Sequence, residues 1–117
     1  MPGRTWKAYF KEGQEIVLAT ASRTGLPHAV VVVSLGFIGE RLLVADCQMR
    51  TTIQNLLNRD RACAVSGYVR MEGRAKIFSS GKYLDACTRK SPGYAVRHAI
   101  LISAEHVFDM DRNVRVK

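Results

Sequence analysis

The stretch HAVVVVSLGF, residues 28–37, constrains the fold more than any other part of this chain. Its four consecutive valines, Val30 to Val33, lose side-chain freedom in a helix but pack well on a pleated surface. The stretch therefore reads as a strand. Successive strand side chains face opposite ways, so an unbroken apolar run must be buried on both faces or line a cleft. Before it come EIVLATAS (15–22), which is β-branched and apolar, and the turn residues RTGLP (23–27), so the pair reads as a hairpin.

The same pattern continues along the chain. Trp6, Tyr9 and Phe10 recur at helical spacing with Gly13 behind them as a stop, which predicts a short opening helix. IGE (38–40) makes a turn, and RLLVAD (41–46) returns as a third strand. Met49, Ile53, Leu56 and Leu57 then form one helical stripe suited to docking on a sheet. RACAVSGYVRMEGRAKIF (61–78) reads as one long strand or two, with Gly67 and Gly73 as bulge or bend sites. Ser79 and Ser80 are placed to cap a helix carrying Tyr83, Leu84 and Cys87, which SPG (91–93) ends. YAVRHAILISAEHVFDMD (94–111) supplies a last long strand. About three short helices cannot cover a doubly wound parallel sheet, so the expected fold class is mainly β (α+β), an antiparallel barrel of five or six strands.

A chain of 117 residues with 47% apolar content suits a single domain, 1–117, around one core. Its apolar runs are too short to span a bilayer and no signal-peptide pattern opens it, so a soluble, cytoplasmic protein without a membrane partner is expected. Cys47, Cys63 and Cys87 are odd in number and widely spaced, which argues for reduced thiols rather than a disulfide framework or a CxxC zinc site. His28, His98 and His106 show no metal-binding spacing, and no metal is expected. The formal charge of +8 favours anionic partners without choosing among them. Much of it sits at the ends, on Arg4, Lys7 and Lys11 and on Arg112, Arg115 and Lys117, where it reads as a solvated face.

The junction ADCQMRTTIQNLLNRD (45–60) carries the most chemistry. Thr51 and Gln54 have the T-x-x-Q spacing of a capping box, in which Thr51 satisfies a free N–H at the helix start and Gln54 reaches back. A helix start following a strand also offers free N–H groups and the positive end of the helix dipole. On the capping reading Thr51 needs no ligand; on the other, with Arg50 and Thr52 adding donors beside it, the helix start is an anion site suited to phosphate. No phosphate-binding glycine motif stands anywhere else in the chain.

Taken in order, the TGLP turn, the MRTTIQNLLNRDRACAV passage, EGRAKIF and AILISAEHVFDM resemble the FMN-binding split-barrel family related to pyridoxamine 5'-phosphate oxidase. The resemblance covers most of the chain and implies a six-stranded antiparallel split β-barrel with about three short helices. It also implies a homodimer with FMN at the interface, its phosphate held by Arg50, Thr51 and Thr52, with Asn55 as a fourth contact. Family members often carry Lys where this chain has Thr51, which removes one positive charge. The resemblance further implies that Val31, Val32 and Val33 lay their backbone along the isoalloxazine ring, and that Ala45 and Asp46 lie near the ring and ribityl chain. From the residues alone, the valine run either lies in core on both faces or packs one face on such a ring. His28 is a ring neighbour or an exposed turn residue, and Trp6, Tyr9 and Phe10 cover a partner's flavin or plug the barrel.

No catalytic triad or acid–base pair is visible, and none is needed where a flavin performs the redox chemistry. The extended carboxy-terminal substrate segment of the true pyridoxamine 5'-phosphate oxidases has no match here, so that specific activity is not expected. The leading reading is a small FMN-binding oxidoreductase or electron carrier, taking electrons from a reduced nicotinamide cofactor or a redox protein. Two others stand beside it: a basic β-barrel binding nucleic acid, which its few aromatic residues disfavour, and the same fold holding deazaflavin or haem.

Overall fold

The computed structural model describes residues 3–117, with side chains from Thr5 onward. The Arg4 side chain, part of the basic amino-terminal cluster, lies outside the described residues. The chain opens with a 3-10 helix, Gly3–Phe10. The strands are β1 (Glu15–Ala21), β2 (Pro27–Val33), β3 (Phe37–Ile38), β4 (Arg41–Asp46), β5 (Arg61–Ser66), β6 (Val69–Phe78), β7 (His98–Asp109) and β8 (Val114–Arg115). Helix α1 (Thr51–Asn58) joins β4 to β5, and α2 (Lys82–Lys90) joins β6 to β7. All pairings are antiparallel, in one sheet ordered β2-β1-β5-β6-β7-β4-β3, with β8 added to β7. Six strands carry the architecture. The other two, β3 and β8, are two-residue additions.

The sheet curls around a core but does not close, because β2 and β3 remain its two ends. Alternation decides what lies inside: Ile16 and Leu18 of β1, Ala62 and Ala64 of β5 and Met71 of β6 point inward, where they meet Leu42, Val44, Ile100 and Ile102. Trp6 and Phe10 complete this cluster with Ile53 and Leu56 of α1, so those two aromatic residues plug the barrel, while Tyr9 stays exposed. The 310 form of the opening segment is compatible with this, because Trp6 and Phe10 still reach the core together.

Helix α2 lies against the other side of β4 and β7, where Ala86 and Cys87 pack on Leu43, Ala99 and Leu101. This makes Leu42, Leu43 and Val44 buried in succession. The strand buried on both faces is therefore β4, not the valine-rich β2, which alternates between half-buried and exposed residues, with Val31 67% exposed. Of the two readings of the valine run, the cleft-lining one is what the fold leaves.

Four local expectations are corrected. Thr51 is the first residue of α1 rather than its cap; Arg50 holds the cap position and no side-chain capping bond forms, so the Thr51–Gln54 box is not made. The turn is organised from behind instead, by Asp46 Oδ1 accepting the Met49 N–H at 2.7 Å. Leu57 is 71% exposed, and Thr52 and Asn55 take the inward positions beside Ile53 and Leu56. Ser79 and Ser80 do not cap α2; Gly81 stands at its N-cap with φ 90°, a conformation that glycine adopts without strain. The final strand starts at His98, four residues later than expected from position 94, because Tyr94 to Arg97 belong to the preceding loop.

The RACAVSGYVRMEGRAKIF stretch is two strands, turned at Gly67. Gly73 marks a break in the β6–β7 register, where a Cβ would stand 1.8 Å from the Ser103 carbonyl oxygen. No residue with a side chain fits that approach without moving β7.

Candidate functional site

The open seam of the sheet contains a large groove. After β2 the chain crosses to β4, where Leu35 N–H donates to Leu43 O at 2.9 Å and Leu43 N–H to Gly36 O at 2.8 Å. From there the two edges part around a groove of about 770 Å³. One wall is residues 30–33 of β2 with Leu35, the floor is Ala45 and the turn 47–49, and the far wall is residues 90–92 with Tyr94. Adjacent residues of a strand send their side chains to opposite faces, so Val30 to Val33 can all line one groove only along the strand's edge. Among the described residues that edge has no neighbouring strand, which leaves alternate N–H and C=O groups of β2 facing the groove without ladder partners.

Beneath the floor lies a buried polar cluster. The Asp46 carboxylate is 0% exposed. Its Oδ2 is 2.5 Å from His98 Nδ1, its Oδ1 accepts from Met49 N–H, and Arg97 Nη2 reaches Oδ1 at 3.3 Å. Arg97 also donates to Met49 O at 2.5 Å, and its own N–H to Asp46 O at 2.8 Å. The end of β4, the 47–50 turn and the start of β7 are thus held by one carboxylate. A buried carboxylate is tolerated because each of these donors replaces lost hydration.

The structure brings Val31, Val32, Val33 and Ala45 together along the groove. Asp46 lies next to Ala45 but faces inward, with its carboxylate committed to the cluster. Arg50 and Thr51 are exposed at the start of α1, directly after the groove's Met49, and their side chains take no partner among the described residues. Thr52 is 1% exposed, and Asn55 Nδ2 donates to Thr20 Oγ1 at 3.0 Å, which ties α1 to β1. His28 pairs with Thr20 across the β1–β2 ladder and does not line the groove.

Sequence reasoning missed Arg97, His98, Pro92 and Tyr94. They lie far along the chain, and only the pairing of β4 with β7 brings that segment to the 45–50 turn. The one signal present was the polar Arg97–His98 pair immediately before an apolar strand.

None of the three cysteines is in a disulfide. Burial pushes the Cys87 thiol up to about 11, with Cys47 adding to the shift. Burial and then the Asp46 charge raise Cys47, which lines the groove. Both thiols are therefore protonated and weakly nucleophilic near neutral pH. Among the described residues no group of three or more His, Cys, Asp or Glu is placed to hold a metal, and no helix is long and apolar enough to cross a membrane. The groove's own cation, Lys90, is paired with Glu12 at 2.5 Å.

The family pattern described as Pyridoxamine 5'-phosphate oxidase matches residues 4–111. No curated protein matches significantly. Among solved structures, HupZ of Group A Streptococcus superposes with a TM-score of 0.85 at 16% identity, covering 98% of each chain. A pyridoxamine 5'-phosphate oxidase-related, FMN binding protein of Nostoc punctiforme gives 0.68 at 14% identity, over 90% of this chain and 78% of that one. An FMN-binding protein of Syntrophomonas wolfei gives 0.71 at 11% identity, over 91% and 82%. At these identities the likeness is one of fold.

Proposed function

The chain belongs to the pyridoxamine 5'-phosphate oxidase family, and from that membership we propose that it binds FMN in the groove along β2 and acts as a small oxidoreductase or electron carrier. The observation that carries this reading is the groove itself. About 770 Å³ lies within the range of small-molecule sites, its walls are mainly apolar, and an unpaired strand edge runs along it. A flat ring with one polar edge suits such a slot, apolar faces against Val31, Val33 and Ala45 and polar atoms toward the backbone of β2.

The start of α1 supplies the complementary end. The exposed side chains of Arg50 and Thr51 would hold the phosphate, with Thr52, whose side chain is buried, contributing through its backbone N–H among the first N–H groups of the helix, which favour an anion. Asn55 and Asp46 act from behind, the first anchoring α1 to β1 and the second setting the 47–50 turn. When bound, flavin supplies the one- and two-electron chemistry. The chain's residues position it and exclude water, and the electron source is a reduced nicotinamide cofactor or a redox protein.

We place the site in a homodimer. The register sets Val17 of β1 between Val31 of β2 and Val65 of β5 on the outer face of the sheet. Val17, Val31 and Val33 are exposed there. A second copy covering this face would also cover the adjoining groove. Three free thiols fit a reducing cytoplasm.

The test is the visible spectrum of the purified protein, with mass identification of whatever denaturation releases. Flavin absorption supports the reading. A haem band or deazaflavin would keep the fold and replace the cofactor, and a colourless protein that takes up no added FMN would remove it.

A further inference from the structure

Tyr94 is a large aromatic residue that the packing of this chain does not account for. It is 69% exposed. Its side chain makes no hydrogen bond and no ring contact among the described residues. It is nevertheless held in place, because the 91–97 segment is pinned at both ends. Ser91 N–H donates to Thr88 O and Tyr94 N–H to Ser91 O, at 3.3 and 3.2 Å. At the far end Arg97 is bound to Asp46 and Met49 through both its backbone and its guanidinium. The short path from Tyr94 to Arg97 therefore ties the groove's far wall to the same carboxylate that sets its floor.

Among the described residues Tyr94 is also the only aromatic one lining the groove, whose opposite wall is the valine edge of β2. A planar ligand lying between them would meet β-branched aliphatic side chains on one side and a phenol ring on the other. We infer that Tyr94 is the aromatic wall of this site, in contact with the flavin ring and determining how much of the ring remains open to the molecule that exchanges electrons with it. This rests on the proposal that the groove holds FMN.

Fluorescence titration of FMN and of riboflavin into wild-type, Tyr94→Phe and Tyr94→Ala protein tests it, with a flavin-free thermal melt of each. Tyr94→Ala should weaken both ligands alike by about three- to tenfold, since an aromatic contact is made to the ring and not to the phosphate. Tyr94→Phe should keep near wild-type affinity while the bound flavin becomes more fluorescent, because a phenol quenches excited flavin by electron donation and a phenyl ring does not. That brightening is the decisive signal, since a merely structural tyrosine would not produce it. Wild-type affinity and fluorescence in Tyr94→Ala would overturn the inference and leave the FMN reading standing. Weaker binding by Tyr94→Ala with a lowered flavin-free melt and no brightening in Tyr94→Phe would also overturn it, making Tyr94 a support of the loop. If the wild-type protein binds neither ligand, the FMN reading itself fails and the inference falls with it.

Discussion

Asp46 and His98 are direct partners across the β4–β7 ladder, and their side chains meet with Nδ1 2.5 Å from Oδ2. The two are unequal in exposure, the carboxylate wholly buried and the imidazole partly open to solvent. This inequality determines what each substitution strands.

Removing His98 leaves a buried charge with one donor fewer, whereas Asp46→Asn leaves His98 and Arg97 able to rehydrate. His98→Ala should therefore cost about 2 to 3 kcal/mol and Asp46→Asn about 1 to 2. The double variant should fall short of the sum by about 1 kcal/mol or more. Urea denaturation of the three proteins measures all of this, and additive costs would mean that the pair is not coupled.

Arg50→Ala should weaken FMN by about tenfold to a hundredfold and leave riboflavin almost unchanged, because a charge-assisted bond to phosphate contributes about 1.5 to 3 kcal/mol. Thr51→Lys should tighten FMN only, with the gain shrinking as salt rises. Since Thr51 is exposed and makes no capping bond, Thr51→Ala should leave the flavin-free melt within about 0.5 kcal/mol of wild type. Equal loss of both ligands in Arg50→Ala would mean that the residue only supports the fold.

Light scattering should give twice the 13.0 kDa chain mass for the wild type. Val31→Lys should shift it toward the single chain, because the charge enters the apolar outer face where Val31 lies opposite Val17. A concentration-independent monomer in the wild type would remove both the dimer and an interfacial site.

Gly73→Ala should destabilise the fold by about 2 kcal/mol or more, since its Cβ would collide with the Ser103 carbonyl at the register break. Gly25→Ala makes a useful control. It is strained by its φ of 92° but its Cβ meets nothing, so a loss of about 1 kcal/mol is expected from backbone strain alone. Comparable losses in the two variants would show that the strand contact is not limiting.

The Cys87 thiol, pushed up to about 11 by burial and then by Cys47, makes stability depend on alkaline pH. An unfolded thiol ionises near pH 8.5, roughly. Because the folded value is raised, this contribution is fully present below the unfolded value and is lost as pH rises through the folded one. Stability should thus decline between about pH 8.5 and 11, by at most about 3 kcal/mol from this group. Cys87→Ala should flatten that part of the curve in denaturation series run from pH 8 to pH 11, roughly, and an unchanged slope would assign the decline to other groups.

Elements governed by neighbours in the chain were legible from the amino-acid order. Alternation in EIVLATAS, turn residues in RTGLP and the glycines at 67 and 73 are local signals, and β1, the hairpin and the β6 register break follow them. Val31 to Val33 stood out as an unusual valine run and, with Ala45, were named through the resemblance; the structure sets the valines on the groove's near wall and Ala45 on its floor. The helix caps were not. Whether Thr51 or Ser80 caps depends on the direction from which the chain enters the helix, and Asp46 and Gly81 settle that from outside the capping pattern.

What only the tertiary structure decided is which apolar strand is doubly buried and what faces the groove from the far side. The valines of β2 and the leucines of β4 look alike in sequence, yet α2 packs on β4 while β2 is left at the open edge of the sheet. Likewise Asp46, Arg97 and His98 become one cluster, and Tyr94 a wall, only when β7 pairs with β4. Local order sets the conformation of each segment, because backbone preference acts over a few residues. Burial and charge pairing depend on contacts between residues some fifty positions apart, such as Asp46 with His98 (|i−j| = 52), which no short pattern encodes.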